Sequence, residues 1–330
     1  MTISTHPGLL RIVVSVALMT ILAGCASRPE WPETDTLNQA AGVDQRRVLE
    51  HVPFYAQERF QCGPASLAMM LNSQGLDTHP DVLRELVYLP GRKGSLKVEL
   101  VAAARAHGQL VYPLDGSLES LLEEVAAGNP VLVMQNLRFG WWPQWHFAVV
   151  IGFDAEERNI VLHTDTRERH EETLEVFTAT WNRAENWAAV MLPPDQLPAT
   201  ADPLRYLMSA NDLETTGRTL AATTAYQTAE QTWPDQPAAI MGQGNIAWDQ
   251  GDPKLATQHY LRLTRKFPGV AAGWNNLAHS LAAQGCASAA KTASTCAAAI
   301  SPDRFDGAPP ELPEHPSQSA CPVLECPSSD

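Results

Sequence analysis

The chain has 330 residues, 45% hydrophobic and 18% charged, with a formal net charge of −14. That length suggests two domains, and an acidic chain with no basic stripe excludes nucleic acid as a partner class. The excess of acid bears on solubility and leaves the fold open.

Arg11 precedes an apolar run, Ile12 to Gly24, too short for a comfortable membrane span and ending in small residues, as an export signal does. Leu22-Ala23-Gly24-Cys25 resembles the bacterial lipobox. That resemblance implies removal of residues 1–24 and a diacylglycerol on the Cys25 sulfur. Because Ala26 is not aspartate, it also implies an outer-membrane lipoprotein facing the periplasm. The membrane is then a partner through the lipid. Residues 25–47 read as a polar tether. Such an address is oxidising. With Cys25 lipidated, Cys286, Cys296, Cys321 and Cys326 can form two disulfides, their connectivity open, and Cys62 is left without a partner.

An extended entry, His51 to Tyr55, leads into Cys62-Gly63-Pro64, where Gly and Pro break the chain into a helix running to about Asn72 and ended by Gly75. Leu67, Met70 and Leu71 repeat at helical spacing and face a core. Cys62 stands at the helix N-terminus, where free N–H groups and the dipole predict a lowered thiol pKa. A buried cysteine that merely packs is the alternative. A helix from Asp81 to about Leu89 is predicted with Val82, Leu86 and Leu89 inward, followed by a mobile loop, Pro90 to Gly94. Helices follow at Leu96–Ala106 and Leu118–Ala127. Strands begin with Val131–Met134, then His146–Phe153, Asn159–His163 after a hairpin turn at 155–158, and Trp187–Leu192. Helices first and antiparallel strands second give an α+β domain at 48–195.

Beyond residue 200 alanine dominates and a period of 34 emerges. Gly217, Gly251 and Gly285 share a register, as do Ala222, Ala256 and Ala290, and Pro234, Pro268 and Pro302. Tyr226 and Tyr260 align with Ser294, and Ala210 and Gly244 with Ala278. These columns resemble the tetratricopeptide repeat, in three copies over 203–302, an all-α domain whose concave surface takes a protein partner. The last stretch, 303–330, is rich in Pro, Ser and Glu and reads as a disordered tail unless Cys321 or Cys326 ties it down.

A thiolate attacking a carbonyl needs a base, an orienting group and an oxyanion donor. His146 opens a strand directly after the loop Gly140-Trp141-Trp142-Pro143-Gln144-Trp145, which can wall a cleft. Gln57, five positions before Cys62, carries an amide that can donate to an oxyanion; Gln61 is its rival. Val52-Pro53-Phe54-Tyr55 leading to Gln57, the block Cys62-Gly63-Pro64-Ala65-Ser66-Leu67-Ala68-Met69, and His146-Phe147-Ala148-Val149-Val150-Ile151-Gly152-Phe153-Asp154 together resemble the C39 bacteriocin-processing peptidases and their C39-like relatives.

The resemblance covers about residues 48–195. It implies a papain-like fold with Cys62 as nucleophile, His146 as general base and Gln57 as oxyanion donor. The family's acid follows the next strand, which points to Asp165, although that residue precedes Thr166 where the family has proline. The implied protein is a lipid-anchored cysteine peptidase acting on a peptide or protein substrate, with repeats recruiting a partner. It calls for no cofactor and no metal. Two alternatives stand beside it: an amidase acting on peptidoglycan, and a noncatalytic periplasmic docking protein.

Overall fold

The computed structural model describes residues 29–32, 46–57, 61–92, 94–313 and 320–327. The export signal and Cys25 lie outside the described residues.

A seven-stranded antiparallel sheet forms the frame of the first domain: β1 (Arg46–Val48), β2 (Leu110–Pro113), β3 (Val131–Asn136), β4 (Trp145–Asp154), β5 (Asn159–Thr164), β6 (Arg167–Thr173) and β7 (Ala188–Leu192). The strand order is β2-β7-β3-β4-β5-β6, with β1 pairing the far half of β4. Buried residues fill β3, β4, β5 and β7, as continuous apolar runs require when helices cover the faces. Four helices lie in the first half of this domain or just after it: α1 (Cys62–Ser73), α2 (Pro80–Val87), α3 (Lys97–Ala106) and α4 (Leu118–Ala126). A fifth, α5 (Leu174–Asn182), packs on β3, β5 and β6.

Strands do not wait for residue 131. β1 and β2 precede it, and β2 pairs with β7 to complete one edge of the sheet. β6 escapes sequence reading because Arg167-Glu168-Arg169-His170-Glu171-Glu172 carries no apolar alternation; it is an edge strand whose charges discourage further pairing. In α2 the expected inward face is wrong. Val82 and Leu86 are exposed, while Leu83 and Val87 are fully buried, and Leu89 lies beyond the helix in a bridge to Gly94. Both sets have helical spacing. The choice falls to docking against α1, fixed by the Asn72 side chain, which bonds the backbone of Thr78 in both directions (2.9 and 3.0 Å).

The residues after 200 fold as three helix pairs: α6 (Pro203–Thr215) with α7 (Thr219–Thr232), α8 (Pro237–Asp249) with α9 (Pro253–Lys266), and α10 (Ala271–Ala283) with α11 (Ala287–Ile300). Gly217, Gly251 and Gly285 all adopt positive φ of 74–78° in the turn within each pair, a backbone state that side chains other than glycine's resist. A Cβ on Gly244 would run into the ring of Tyr260, which explains the small-residue column. Two disulfides, Cys286–Cys321 and Cys296–Cys326, resolve the open connectivity and fasten the tail to the last pair. The tail expected to be disordered is therefore held where it is described, over 303–313 and 320–327, by these covalent links and by Phe305 and Leu324 packed against the core of the repeats.

The first repeat shares a continuous core with the sheet domain, running from Tyr112 and Val190 to Tyr206, Ala210 and Tyr226. The connection between them is pinned. The buried carboxylate of Glu124 accepts from the N–H of Ala199 (3.1 Å) and of Thr200 (2.9 Å) and from the Thr200 hydroxyl (2.7 Å). Tyr206 donates to the Pro194 carbonyl (2.8 Å), and Arg105 pairs with Asp212.

Candidate active site

Helix α1 crosses the sheet at β4. Its side of the site is Cys62, at the first helical position, with Gly63 and Pro64 behind it. Gly63 is buried because Ser95, from the loop before α3, packs where a Cβ would stand. The Ser95 hydroxyl is itself buried without a hydrogen-bond partner.

One turn on, the Ser66 hydroxyl donates to the Phe147 carbonyl (3.2 Å), tying α1 to β4 across 81 positions of sequence. The Cys62 thiol is half-buried, and the backbone N–H groups of Phe147, Gly63 and Cys62 favour its thiolate. His146, buried, is the residue before Phe147 on β4. The fold thus brings the thiol to the strand that carries the imidazole.

The His146 ring is held from β5. Its Nε2 lies 2.7 Å from the Thr164 hydroxyl and 3.7 Å from Asp165 Oδ1. Nδ1 makes no hydrogen bond to a described residue. Asp165 takes positive φ (49°) in the β5–β6 turn, a state aspartate tolerates, and its other oxygen accepts from Arg167 (3.2 Å). Asp165 is half-exposed. The group in hydrogen-bond contact with His146 is therefore Thr164, which sequence reasoning passed over. The only signal for it was its place beside Asp165 in the chain.

Gln57 lies in the same cluster. Its backbone N–H donates to the Asp165 carbonyl (2.7 Å). Its side-chain amide is buried and donates to Ser66 Oγ (3.2 Å) and to the Phe147 carbonyl (3.4 Å), leaving Oε1 buried without a partner. Ser66, itself donating to Phe147, receives the amide and sets its orientation. Gln61 stands outside this network as the residue capping α1, with no side-chain capping bond.

Electrostatics correct one expectation. The helix start was to lower the thiol pKa. Burial instead pushes the Cys62 thiol up, against the three N–H groups that favour the thiolate, and the Asp165 charge adds to the rise. Burial likewise holds His146 below its ordinary value, opposed by Asp165. Both shifts favour the neutral forms, a thiol and an unprotonated imidazole. Among the described residues no group of three or more His, Cys, Asp or Glu side chains is placed to hold a metal.

Fold and site together define an α+β domain with a thiol and an imidazole on adjoining elements, joined to a helical repeat. Residues 49–189 match the Peptidase_C39 like family, and residues 207–271 and 241–291 match the tetratricopeptide repeat. The chain thus has an N-terminal α+β domain like those of the C39 peptidases, followed by a helical region that matches tetratricopeptide repeats. Among solved structures it is similar to a Bacillus anthracis protein described as a C39-like peptidase, at 20% identity and a TM-score of 0.38, over 45% of this chain and 98% of the other. It is also similar to the peptidase domain of Streptococcus ComA, described as a bifunctional ABC transporter involved in a quorum-sensing pathway, at 20% identity and a TM-score of 0.37, over 43% and 99%. No curated protein matches the chain.

Proposed function

We propose that the protein is a cysteine peptidase, held at the periplasmic face of the outer membrane by a lipid on Cys25, that hydrolyses peptide bonds through Cys62, His146, Asp165 and Gln57, with its repeats docking a protein partner. The observation that carries this reading is the tie between α1 and β4: Ser66, one turn on from Cys62, donates to the carbonyl of Phe147, the neighbour of His146. In this mechanism His146 Nδ1 takes the thiol proton as the sulfur attacks the substrate carbonyl. The developing oxyanion is received by the Cys62 backbone N–H and by the Gln57 amide once that amide turns from Ser66 and the Phe147 carbonyl toward the substrate. His146 returns the proton to the leaving amine, and an acyl-enzyme remains. Water, activated by the same imidazole, then releases the acid. The Nε2–H throughout is held by Thr164 and steadied by Asp165, which orient the base and favour its charged form.

Incubating the full chain with a mixed peptide library and reading new termini by mass spectrometry tests this. Cleavage by the parent that is lost in Cys62→Ala and His146→Ala supports it; cleavage persisting in Cys62→Ala overturns it. Muropeptides released from purified sacculi in its place would mark the amidase. The burial that holds the Cys62 thiol up favours a second reading, a noncatalytic docking protein, and absence of cleavage from both libraries and sacculi would select it.

A further inference from the structure

The hairpin tip between β3 and β4 is unusual in what it shows to water. Phe139, Trp141, Trp142 and Trp145 are 65%, 80%, 63% and 52% exposed. Isolated exposed apolar residues are ordinary, but a contiguous patch of large rings marks an interaction site. The tip is braced. Leu137 donates to the Gln144 carbonyl (3.0 Å), Trp142 to the Phe139 carbonyl (3.1 Å), and the buried Asn136 side chain accepts from the N–H of Arg138 (3.1 Å) and Gln144 (3.0 Å). The Phe139 and Trp141 rings lie stacked, 5.7 Å apart and within 7° of parallel, and Trp142 meets Trp141 edge-on. A platform built this rigidly binds without losing much conformational freedom. Its last ring, Trp145, directly precedes His146.

Charge says what the platform takes. In a chain of net charge −14, residues 88–98 and 136–147 contain no carboxylate. The first stretch includes the loop that leads to Ser95, packed on Gly63 at the start of α1, and that loop is closed by a bond from Leu89 N–H to the Gly94 carbonyl (2.9 Å). Arg92 stands exposed on it. Just beyond, Lys97 Nζ lies 5.9 Å over the Trp187 ring, which packs edge-on against Phe147. On the hairpin, Arg138 bonds the Gln144 side chain (2.7 Å). None of Arg92, Lys97 and Arg138 has a carboxylate partner among the described residues, whereas Arg46, Arg105, Arg158, Arg167, Arg169 and Arg262 all do.

We propose that this braced aromatic hairpin and the cations Arg92, Lys97 and Arg138, which lack carboxylate partners, form a docking site for an extended acidic polypeptide segment, carboxylates alternating with apolar side chains, whose scissile bond is thereby carried to the thiol. The last clause rests on the peptidase reading above; the docking itself does not. An extended chain points successive side chains to opposite sides, so one row reaches the rings while the other meets the cations. An acidic membrane surface would suit the same chemistry, but the chain's N-terminal portion argues against it. Pro29 and Trp31 are fixed at the other end of β4, by Arg158 on the Pro29 carbonyl (2.8 Å) and by Phe153 against the indole. That end is ten residues, about 30 Å, from the hairpin. With the lipid proposed above on Cys25, four residues before Pro29, the membrane lies at that end of β4 and away from the rings. A glycan would use the rings and ignore the cations.

Binding is measured on the full chain carrying Cys62→Ala, so that no outcome depends on turnover. The probes are three fluorescein-labelled twelve-residue peptides in which Leu alternates with Glu, Gln or Lys. The Glu peptide is expected to bind at least tenfold more tightly than the Lys peptide, with affinity falling as salt rises. Trp141→Ser with Trp142→Ser abolishes that binding, and Arg92→Glu with Arg138→Glu reverses the preference. These positions are exposed, and unchanged circular dichroism and thermal midpoint confirm that each variant is folded. Equal binding of the three peptides overturns the proposal. So does saturable binding to vesicles of anionic phospholipid, or to sacculi, that is lost in the Trp141 and Trp142 variant while the peptides do not bind. Tight binding of the Glu peptide, together with no cleavage of the peptide library or of sacculi by the parent chain, would refute the peptidase reading and leave the docking site standing.

Discussion

Replacing Thr164 with valine removes a hydroxyl and keeps the shape. If His146 presents Nδ1 to Cys62, its Nε2 carries the proton and donates to Thr164 Oγ1 at 2.7 Å. In Thr164→Val that N–H is buried with only Asp165 nearby, at 3.7 Å. Leaving a buried donor unpaired costs about 1–3 kcal/mol, which at 1.36 kcal/mol per decade is a fall of roughly 5- to 150-fold in a rate that needs the ring in place. Asp165 is worth less. Its bare attraction for an imidazolium at that distance is about 4 kcal/mol at an effective dielectric of 20. Half-exposure and the competing Arg167 reduce that to about 1 kcal/mol. The assay is the rate of iodoacetamide alkylation at Cys62 near pH 7, read by mass spectrometry of the Cys62 peptide. Thr164→Val is expected to slow it about 30-fold, Asp165→Asn by less than tenfold, and Thr164→Ser hardly at all. Parent-like alkylation in Thr164→Val, with a large loss in Asp165→Asn, would refute the assignment of Thr164 as the group positioning His146.

Three further outcomes follow from the packing and the charges. Gly244→Ala forces a methyl into the Tyr260 ring and should cost about 2–3 kcal/mol, seen as a fall of roughly 10 °C in the melting of the repeats. Reducing Cys286–Cys321 and Cys296–Cys326, which span 35 and 30 residues in overlapping loops, should remove about 4 kcal/mol for one and about 3 kcal/mol for the other by chain entropy; a melting midpoint unmoved by dithiothreitol would contradict this. Burial raises Tyr206 and Tyr260 to about 12, while in the unfolded chain they ionise near 10. Above pH 10 the unfolded state therefore gives up protons that the folded state keeps. Stability should fall between about pH 10 and 12, with a smaller slope in Tyr260→Phe, as measured by urea melts across that window.

The parts of this molecule legible in its sequence are those whose physics is local. Gly217, Gly251 and Gly285 announce the repeat because each turn needs a positive φ, and the Gly244 column because a ring lies against it. Helix α1 announces itself through Gly63, Pro64 and the spacing of its apolar residues. What resisted reading depends on tertiary placement. The charged β6 is a strand only because β5 lends it a ladder. The inward face of α2 was chosen by docking, since Leu83 with Val87 and Val82 with Leu86 fit a helix equally well. The thiol of Cys62 was expected to be acidic from the helix start alone, and the burial that outweighs those N–H groups is a property of the assembled domain. Thr164 lay one residue from the acid singled out in the sequence, yet only the β5 register shows its hydroxyl on the imidazole.

The central claim is that Cys62 attacks a carbonyl with His146 as its base. Mixing the full chain with a peptide thioester, quenching in acid within seconds and weighing the intact protein reads that step without knowledge of the natural substrate. The account predicts one acyl group on Cys62 in the parent chain and none, on the same timescale, in His146→Ala. Acyl transfer that proceeds equally fast in His146→Ala, or that appears on another residue, would contradict it.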